Sequence, residues 1–289
     1  MITLNDTYEL TKEVLTNRLK KIEDYFDADC VSYHGQINED SPLILSKIIS
    51  DLALEGKHQN LVFILTTPGG SISAVEIIVN IIRHFYDKVT FIIPEYAYSA
   101  GTVFCMSGDE IYMNYAGVLG PIDPQVQNKD GRWISVLSHL EKVSELIEKS
   151  ANNTITPIEF IMLRDFNLGD LKEFERAVEY TKTLLLKFLV KYKFKNRMTR
   201  STSGLPVTEE YKRERAQMIA ERLGGTEWYS HGRPINIETL EEMGIQINNY
   251  SDDSELTQII YEYYYLFEDN IKKNIYKRMA DIHTRRYFQ

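Results

Sequence analysis

Ser99 lies where a strand-and-loop segment gives way to a run of small residues, Ala97-Tyr98-Ser99-Ala100-Gly101-Thr102. A serine nucleophile needs a fixed hydroxyl, a base to take its proton, and backbone donors aimed at the developing oxyanion. If a helix begins at Ala100, the Ser99 hydroxyl projects from its N-terminus, where the partial positive charge favours developing negative charge. Earlier in the chain, Gly69-Gly70 follows an apolar run. Two residues without Cβ can bring bare N–H groups close to a substrate carbonyl. The chemistry these two features support together is acyl transfer. Separately each is ordinary, since serine is a common helix N-cap and glycine pairs mark many turns.

The surrounding pattern supplies elements that could position both. Leu61-Val62-Phe63-Ile64-Leu65 is a continuous apolar run of strand length, the pattern of a strand covered on both faces, and it runs into Thr66-Thr67-Pro68-Gly69-Gly70. Ile72, Val75, Val79 and Ile82 then mark one buried stripe of a helix, with Ser73 and Glu76 at capping-box spacing. A second strand, Val89 to Ile93, ends at Pro94 before the Ser99 segment, and Ile111-Tyr112-Met113 is a third. Upstream, residues 8–26 and 43–54 have helical period and Cys30 to Gly35 reads as a strand. Strands alternating with helices at this spacing predict a parallel sheet with right-handed crossovers and a site built from loops at the strand ends. Farther on, Gly120-Pro121-Ile122-Asp123-Pro124 is a rigid turn and Lys129 to Arg132 a hairpin tip. Residues 137–150 and 169–193 are long helices, and Ser201 to Pro206 is linker-like.

Three blocks, Leu65-Thr66-Thr67-Pro68-Gly69-Gly70, Ala97-Tyr98-Ser99-Ala100-Gly101-Thr102 and Leu119-Gly120-Pro121-Ile122-Asp123-Pro124-Gln125, resemble in order and separation the serine dehydrogenase proteinase family. That family is a branch near signal peptide peptidase A and the Clp-protease subunits. The resemblance covers about residues 18–247, because Ser230-His231-Gly232-Arg233-Pro234-Ile235 and Leu240 to Gly244 are similar to the family's closing motif. It implies an α/β Clp-protease/crotonase-like (ββα)n spiral fold with a mostly parallel sheet, and serine peptidase activity needing no cofactor. By the same resemblance Ser99 matches the nucleophile, and Gly69, Gly70 and the Ala100 amide match the oxyanion hole. It also implies a homo-oligomer and a peptide or protein substrate.

The base is left open. The histidine position of Clp-type peptidases falls near Gly120 or Pro121, and the lysine position of signal peptide peptidases falls in Leu163-Arg164-Asp165-Phe166, where the arginine cannot serve as a base at neutral pH. His231 has an intrinsic pKa of about 6.5, suited to a base. Asp123 either orients a base or holds its own turn through an Asx-type bond. Lys172 fills a lysine role only if the fold brings it close. His34, His58, His84, His139 and His283 stand outside any motif.

A net charge of -9 and a pI near 5.3 argue against nucleic acid or an anionic membrane surface as partner. The longest apolar stretch, Ile77 to Ile82, is far short of the roughly 18 residues of a membrane span. The N-terminal residues carry neither a basic start nor an apolar run, so a cytoplasmic protein is expected. Cys30 and Cys105, far apart in apolar stretches, suit buried reduced thiols, and no spacing suggests a metal. Lys187, Lys191, Lys193, Lys195, Arg197 and Arg200 read as a solvated face complementing a helix end. Residues 1–250 are expected to form the peptidase domain and 251–289 a Tyr-rich helical tail, with oligomerisation as one of its two candidate roles. Leu256, Ile260, Tyr263, Phe267, Ile271 and Ile275 form its apolar stripe, for packing on its own domain or between subunits. Two rival readings stand beside the peptidase: a crotonase-like acyl-thioester enzyme, and a non-catalytic oligomeric scaffold.

Overall fold

The computed structural model describes residues 4–127, 130–199, 204–273 and 280–285. In chain order the first half contains α1 (Leu4–Phe26), β1 (Asp29–Gly35), α2 (Ser41–Ala53), β2 (Asn60–Thr66), α3 (Ile72–Phe85), β3 (Lys88–Ile93), β4 (Tyr96–Ala97), α4 (Ala100–Cys105), β5 (Glu110–Met113) and β6 (Val118–Leu119). The second half contains β7 (Gln125–Gln127), β8 (Trp133–Ser135), α5 (Val136–Ala151), α6 (Pro157–Arg164), α7 (Leu168–Phe188) and a π-helical turn (Leu189–Lys193). It ends with α8 (Glu209–Leu223), α9 (Ile237–Glu242), β9 (Asn248–Asn249), α10 (Ser254–Lys273) and β10 (Ala280–His283). Lys129, Arg200, Ser201 to Ser203 and Ile275 lie outside the described residues.

The central sheet runs β10-β1-β2-β3-β5-β9. Neighbours from β1 to β9 pair in parallel, and only β10 is antiparallel, on β1. Both faces are covered, which is why β2 is apolar at every interior position: Leu61, Phe63 and Leu65 enter one core with α2, α3, α4, α7 and α8, while Val62 and Ile64 enter the other with α1 and α10. This is the α/β fold with a mostly parallel sheet that the sequence pattern and the family resemblance imply.

Tyr263, Tyr264 and Phe267 of α10 are buried with Leu15, Leu19 and Ile22 of α1 against the sheet, so the Tyr-rich helix packs within its own chain. Cys30 and Cys105 are buried free thiols, one in each core, and burial raises the pKa of both. No described helix is long and apolar enough to cross a membrane.

One local expectation is corrected. The cap of α3 is Ser71, whose side chain accepts from the Ala74 amide, and not Ser73. Glu76, freed from capping, accepts from Tyr180 Oη at 2.7 Å and from Lys187 Nζ at 2.8 Å, and so fastens α7 over α3. Lys187 and then Tyr180 lower the Glu76 pKa.

Candidate active site

The loops at the carboxyl ends of β2 and β3 are stitched together by backbone. Thr67 N–H donates to Tyr96 O at 3.0 Å, and Tyr98 N–H donates to Thr67 O at 3.0 Å. A parallel pairing of β4 with β6 then sets Ala97 beside Leu119. Between β4 and α4 the chain turns sharply at Ser99, whose φ of 54° and ψ of -119° put it in a region costly for a residue with a Cβ. This strand–turn–helix makes a sharp elbow that can hold a side chain exposed at the strand end. Ser99 occupies the N-cap position of α4 but makes no side-chain cap hydrogen bond. The ordinary reason for a serine here is thus absent, and its hydroxyl is not committed to the helix.

The glycines serve this turn in different ways. A Cβ on Gly69 would lie 2.8 Å from Ser99 Cβ and 2.8 Å from Tyr98 O, so only glycine permits the loop to approach so closely. On Gly70 a Cβ would meet the Ile37 carbonyl oxygen at 1.9 Å. Gly69 N–H donates to Thr67 Oγ1 at 3.1 Å and is already occupied. Among the described residues the N–H groups of Gly70 and Ala100 have no partner. Of the three expected oxyanion positions, Gly70 and Ala100 therefore have donors to offer, while Gly69 shapes the loop.

A cleft of about 200 Å³ opens here, lined by Gly70, Ile72, Ser99, Ala100, Ile122, Pro124, Gln125 and Thr181. Its far wall is the Gly120–Pro124 turn, and Thr102, which sequence reasoning passed over, holds that turn to the elbow. Thr102 Oγ1 accepts from Gly120 N–H at 3.0 Å and lies within donating distance of the carbonyls of Ala97, 2.8 Å, and Gly120, 2.9 Å. Its hydroxyl thus ties α4 to both strand ends. No such role is visible in a threonine among small residues.

Asp123 and His231 come together although 108 residues separate them, with Nδ1 2.8 Å from Oδ1. Reciprocal backbone bonds between Leu119 and Ile235, at 3.0 and 2.9 Å, bring the His231 segment alongside the turn. Asp123 is 7% exposed and His231 partly exposed. A carboxylate on Nδ1 fixes the neutral tautomer with its proton there and leaves Nε2 as the basic atom. Among the described residues no hydrogen bond joins this pair to Ser99, and His231 is not in the cleft lining.

Lys172 is exposed and paired with Glu175 at 2.6 Å, on the solvated face of α7. Lys182, which was not singled out from sequence, follows the cleft residue Thr181. A Cβ on Gly224 would lie 2.9 Å from its Cε and 3.5 Å from Ile122 Cγ1, so the Lys182 stem runs beside the cleft wall. It has no hydrogen-bond or ion-pair partner among the described residues. His34, His58 and His283 engage Glu268, Asp27 and Tyr263 respectively. Among the described residues no group of three or more His, Cys, Asp and Glu side chains is placed to hold a metal.

The strain at Ser99 is measurable without substrate. Relieving a positive φ by Ser99→Gly should raise stability by about 1 kcal/mol in urea denaturation, whereas Ser99→Ala should not. A glycine variant that is clearly less stable than the wild type would show that the backbone there is relaxed.

Two uncharacterized proteins of Methanocaldococcus jannaschii match this chain, one 29% identical over 202 residues and the other 24% identical over 227 residues. The aligned parts are 70% and 78% of this chain but only 56% and 65% of those proteins, so the chain spans between half and two thirds of their length. Among solved structures, the 1510-N membrane-bound stomatin-specific protease bound to a substrate peptide superposes with a TM-score of 0.48 at 16% identity, covering 79% of this chain and 77% of that one. A second mutant of the same protease gives 0.45 at 15% identity, covering 79% and 81%. Residues 35–158 match the family model described as ClpP-like SDH-type serine proteinase. That matched segment holds Gly69, Gly70, Ser99, Ala100 and Asp123.

Proposed function

We propose that the chain is a serine peptidase in which Ser99 attacks the peptide carbonyl and the N–H groups of Gly70 and Ala100 receive the oxyanion. The observation that carries this reading is the strained, uncapped backbone of Ser99 facing an open cleft. Acylation transfers the hydroxyl proton to a base as the Ser99 Oγ–carbonyl bond forms, and the base returns it to the leaving amine. Water then attacks the ester and releases the acid. Two hydrogen-bond donors aimed at the oxyanion contribute on the order of 3 kcal/mol each to the barrier reduction. A thioester enzyme of the same fold would use the oxyanion site but would have no need of a strained serine.

His231 is the base this reading prefers, with Asp123 orienting it, since their bond sets the tautomer a base requires. In this reading its Nε2 takes the Ser99 proton in the substrate complex, where catalytic hydrogen bonds often close. Lys182 is the competing base, favoured by its unpartnered position beside Ile122. A cytoplasmic setting belongs to the same reading, in keeping with two buried free thiols.

Hydrolysis of a denatured protein followed by mass spectrometry decides both points. Ser99→Ala should lose about 10³-fold or more in rate, and His231→Ala about 10²- to 10⁴-fold, while Lys182→Met stays within a few fold. The reverse order for His231 and Lys182 would transfer the role of base to the lysine. A rate unaffected by Ser99→Ala would remove the peptidase reading.

The homo-oligomer is also part of the proposal. Helix α6 buries no residue and exposes Ile158, Phe160, Ile161 and Met162, with Phe160 54% exposed, an apolar surface suited to a second copy of the chain. In sedimentation velocity the wild type should be larger than a monomer, and Phe160→Glu with Ile161→Glu should shift it to the monomer at unchanged circular dichroism. A monomeric wild type would contradict this.

A further inference from the structure

At the opposite end of the sheet, under the first residues of β3, β5 and β9, lies a second pocket of about 280 Å³. Lys88, Asp109, Glu110, Lys193, Arg197 and Asn248 are among its lining residues. Its carboxylates are already matched: Asp109 is bound by Arg83 at 2.8 Å and by the Val89 amide at 2.8 Å, and Glu110 by Lys88 at 3.0 Å. Its remaining cations are not. Lys193 is 7% exposed and has no hydrogen-bond or ion-pair partner among the described residues. Arg197 donates to the Gly244 carbonyl at 2.9 Å and lies over the Phe194 ring, but no described carboxylate meets it.

A buried ammonium without a partner is costly, and such groups persist where they have work to do. Lys193 is brought inward by the π-helical turn Leu189–Lys193, an irregularity frequent at functional sites. The basic run that reads in sequence as a solvated face is therefore divided: Lys187 reaches outward to Glu76, whereas Lys193 and Arg197 line this pocket. Burial first, and then the charge of Arg197, push Lys193 down to about 7, against the weaker upward pull of Glu110, Asp109 and Cys105. An incoming negative group would offset both causes.

We propose that this pocket binds the oxyanion group, phosphate or carboxylate, of a small molecule, held by the Lys193 ammonium and the Arg197 guanidinium, with the Asn248 amide as a further polar contact. The site is separate from the Ser99 cleft, but α7 and its π-helical continuation link them, with Thr181 at the cleft and Lys193 at the pocket. The proposal does not depend on Ser99 being a nucleophile.

Calorimetric titration of the whole chain with inorganic phosphate and, separately, with succinate tests it. One or both should bind at a single site, the stronger arm identifying the oxyanion, and Lys193→Met and Arg197→Met should each weaken binding about tenfold or more. No saturable binding of either anion, or binding undiminished in both variants, would overturn the proposal. A measurement without variants guards against misfolding. In the wild type, acylation of Lys193 by an uncharged amine-reactive active ester, mapped by peptide mass spectrometry, should slow in the presence of the bound anion, and an unchanged rate would count against the site.

Discussion

Two backbone hydrogen bonds, from Thr67 N–H to Tyr96 O and from Tyr98 N–H to Thr67 O, hold the glycine loop and the Ser99 turn as one unit, and the rest of the site depends on them. A residue at φ 54° and ψ -119° costs about 1–3 kcal/mol, so something nearby must outweigh it. Each of these bonds contributes about 1 kcal/mol net. Close packing does the remainder: Gly101 presses on Thr67, where a Cβ would stand 2.4 Å from Cγ2, and Gly120 presses on Tyr98, where a Cβ would stand 2.4 Å from Cδ1. Release of Thr67 would let Ser99 relax and would move the Gly70 and Ala100 amides apart.

The sheet then distributes polar groups to its two ends. Carboxyl ends of β2 and β3 carry the Ser99 cleft, and amino ends of β3, β5 and β9 carry the Lys193 pocket. Between them the strands pack large apolar side chains on both faces, with Phe63, Phe91 and Phe104 meeting edge-on or tilted at 4.8 to 5.7 Å in one core. Helix α7 spans that distance along the outside, pinned to α3 by Glu76. Helix α7 lends Thr181 to the cleft, and its π-helical continuation lends Tyr192 and Lys193 to the pocket.

Much of the fold was readable because it is local. The β2 run and the stripe of α3 follow from period alone, and Gly69-Gly70 and Ser99 sit at the strand ends where a parallel sheet must place its loops. The cap of α3 is ambiguous in sequence because Ser71 and Ser73 both precede an apolar stripe, and only the backbone turn decides between them. Contacts at long range were not readable. The 2.8 Å bond of Asp123 to His231 depends on the Leu119–Ile235 bridge, and the contact of Lys182 with Gly224 depends on how α7 meets α8. Lys193 was hidden by its basic neighbours, since nothing in their spacing announces a π-helical turn. In the same way the tyrosines of α10 gave a stripe but not its destination, which is the sheet of their own chain.

The central claim is that Ser99 is an activated nucleophile. Intact-mass analysis after incubation with a fluorophosphonate, on wild type and on Ser99→Ala, tests it most directly. A single adduct on the wild type, absent from the variant, is the predicted result. A folded wild type that takes up no adduct, or an adduct that persists in Ser99→Ala, would contradict it.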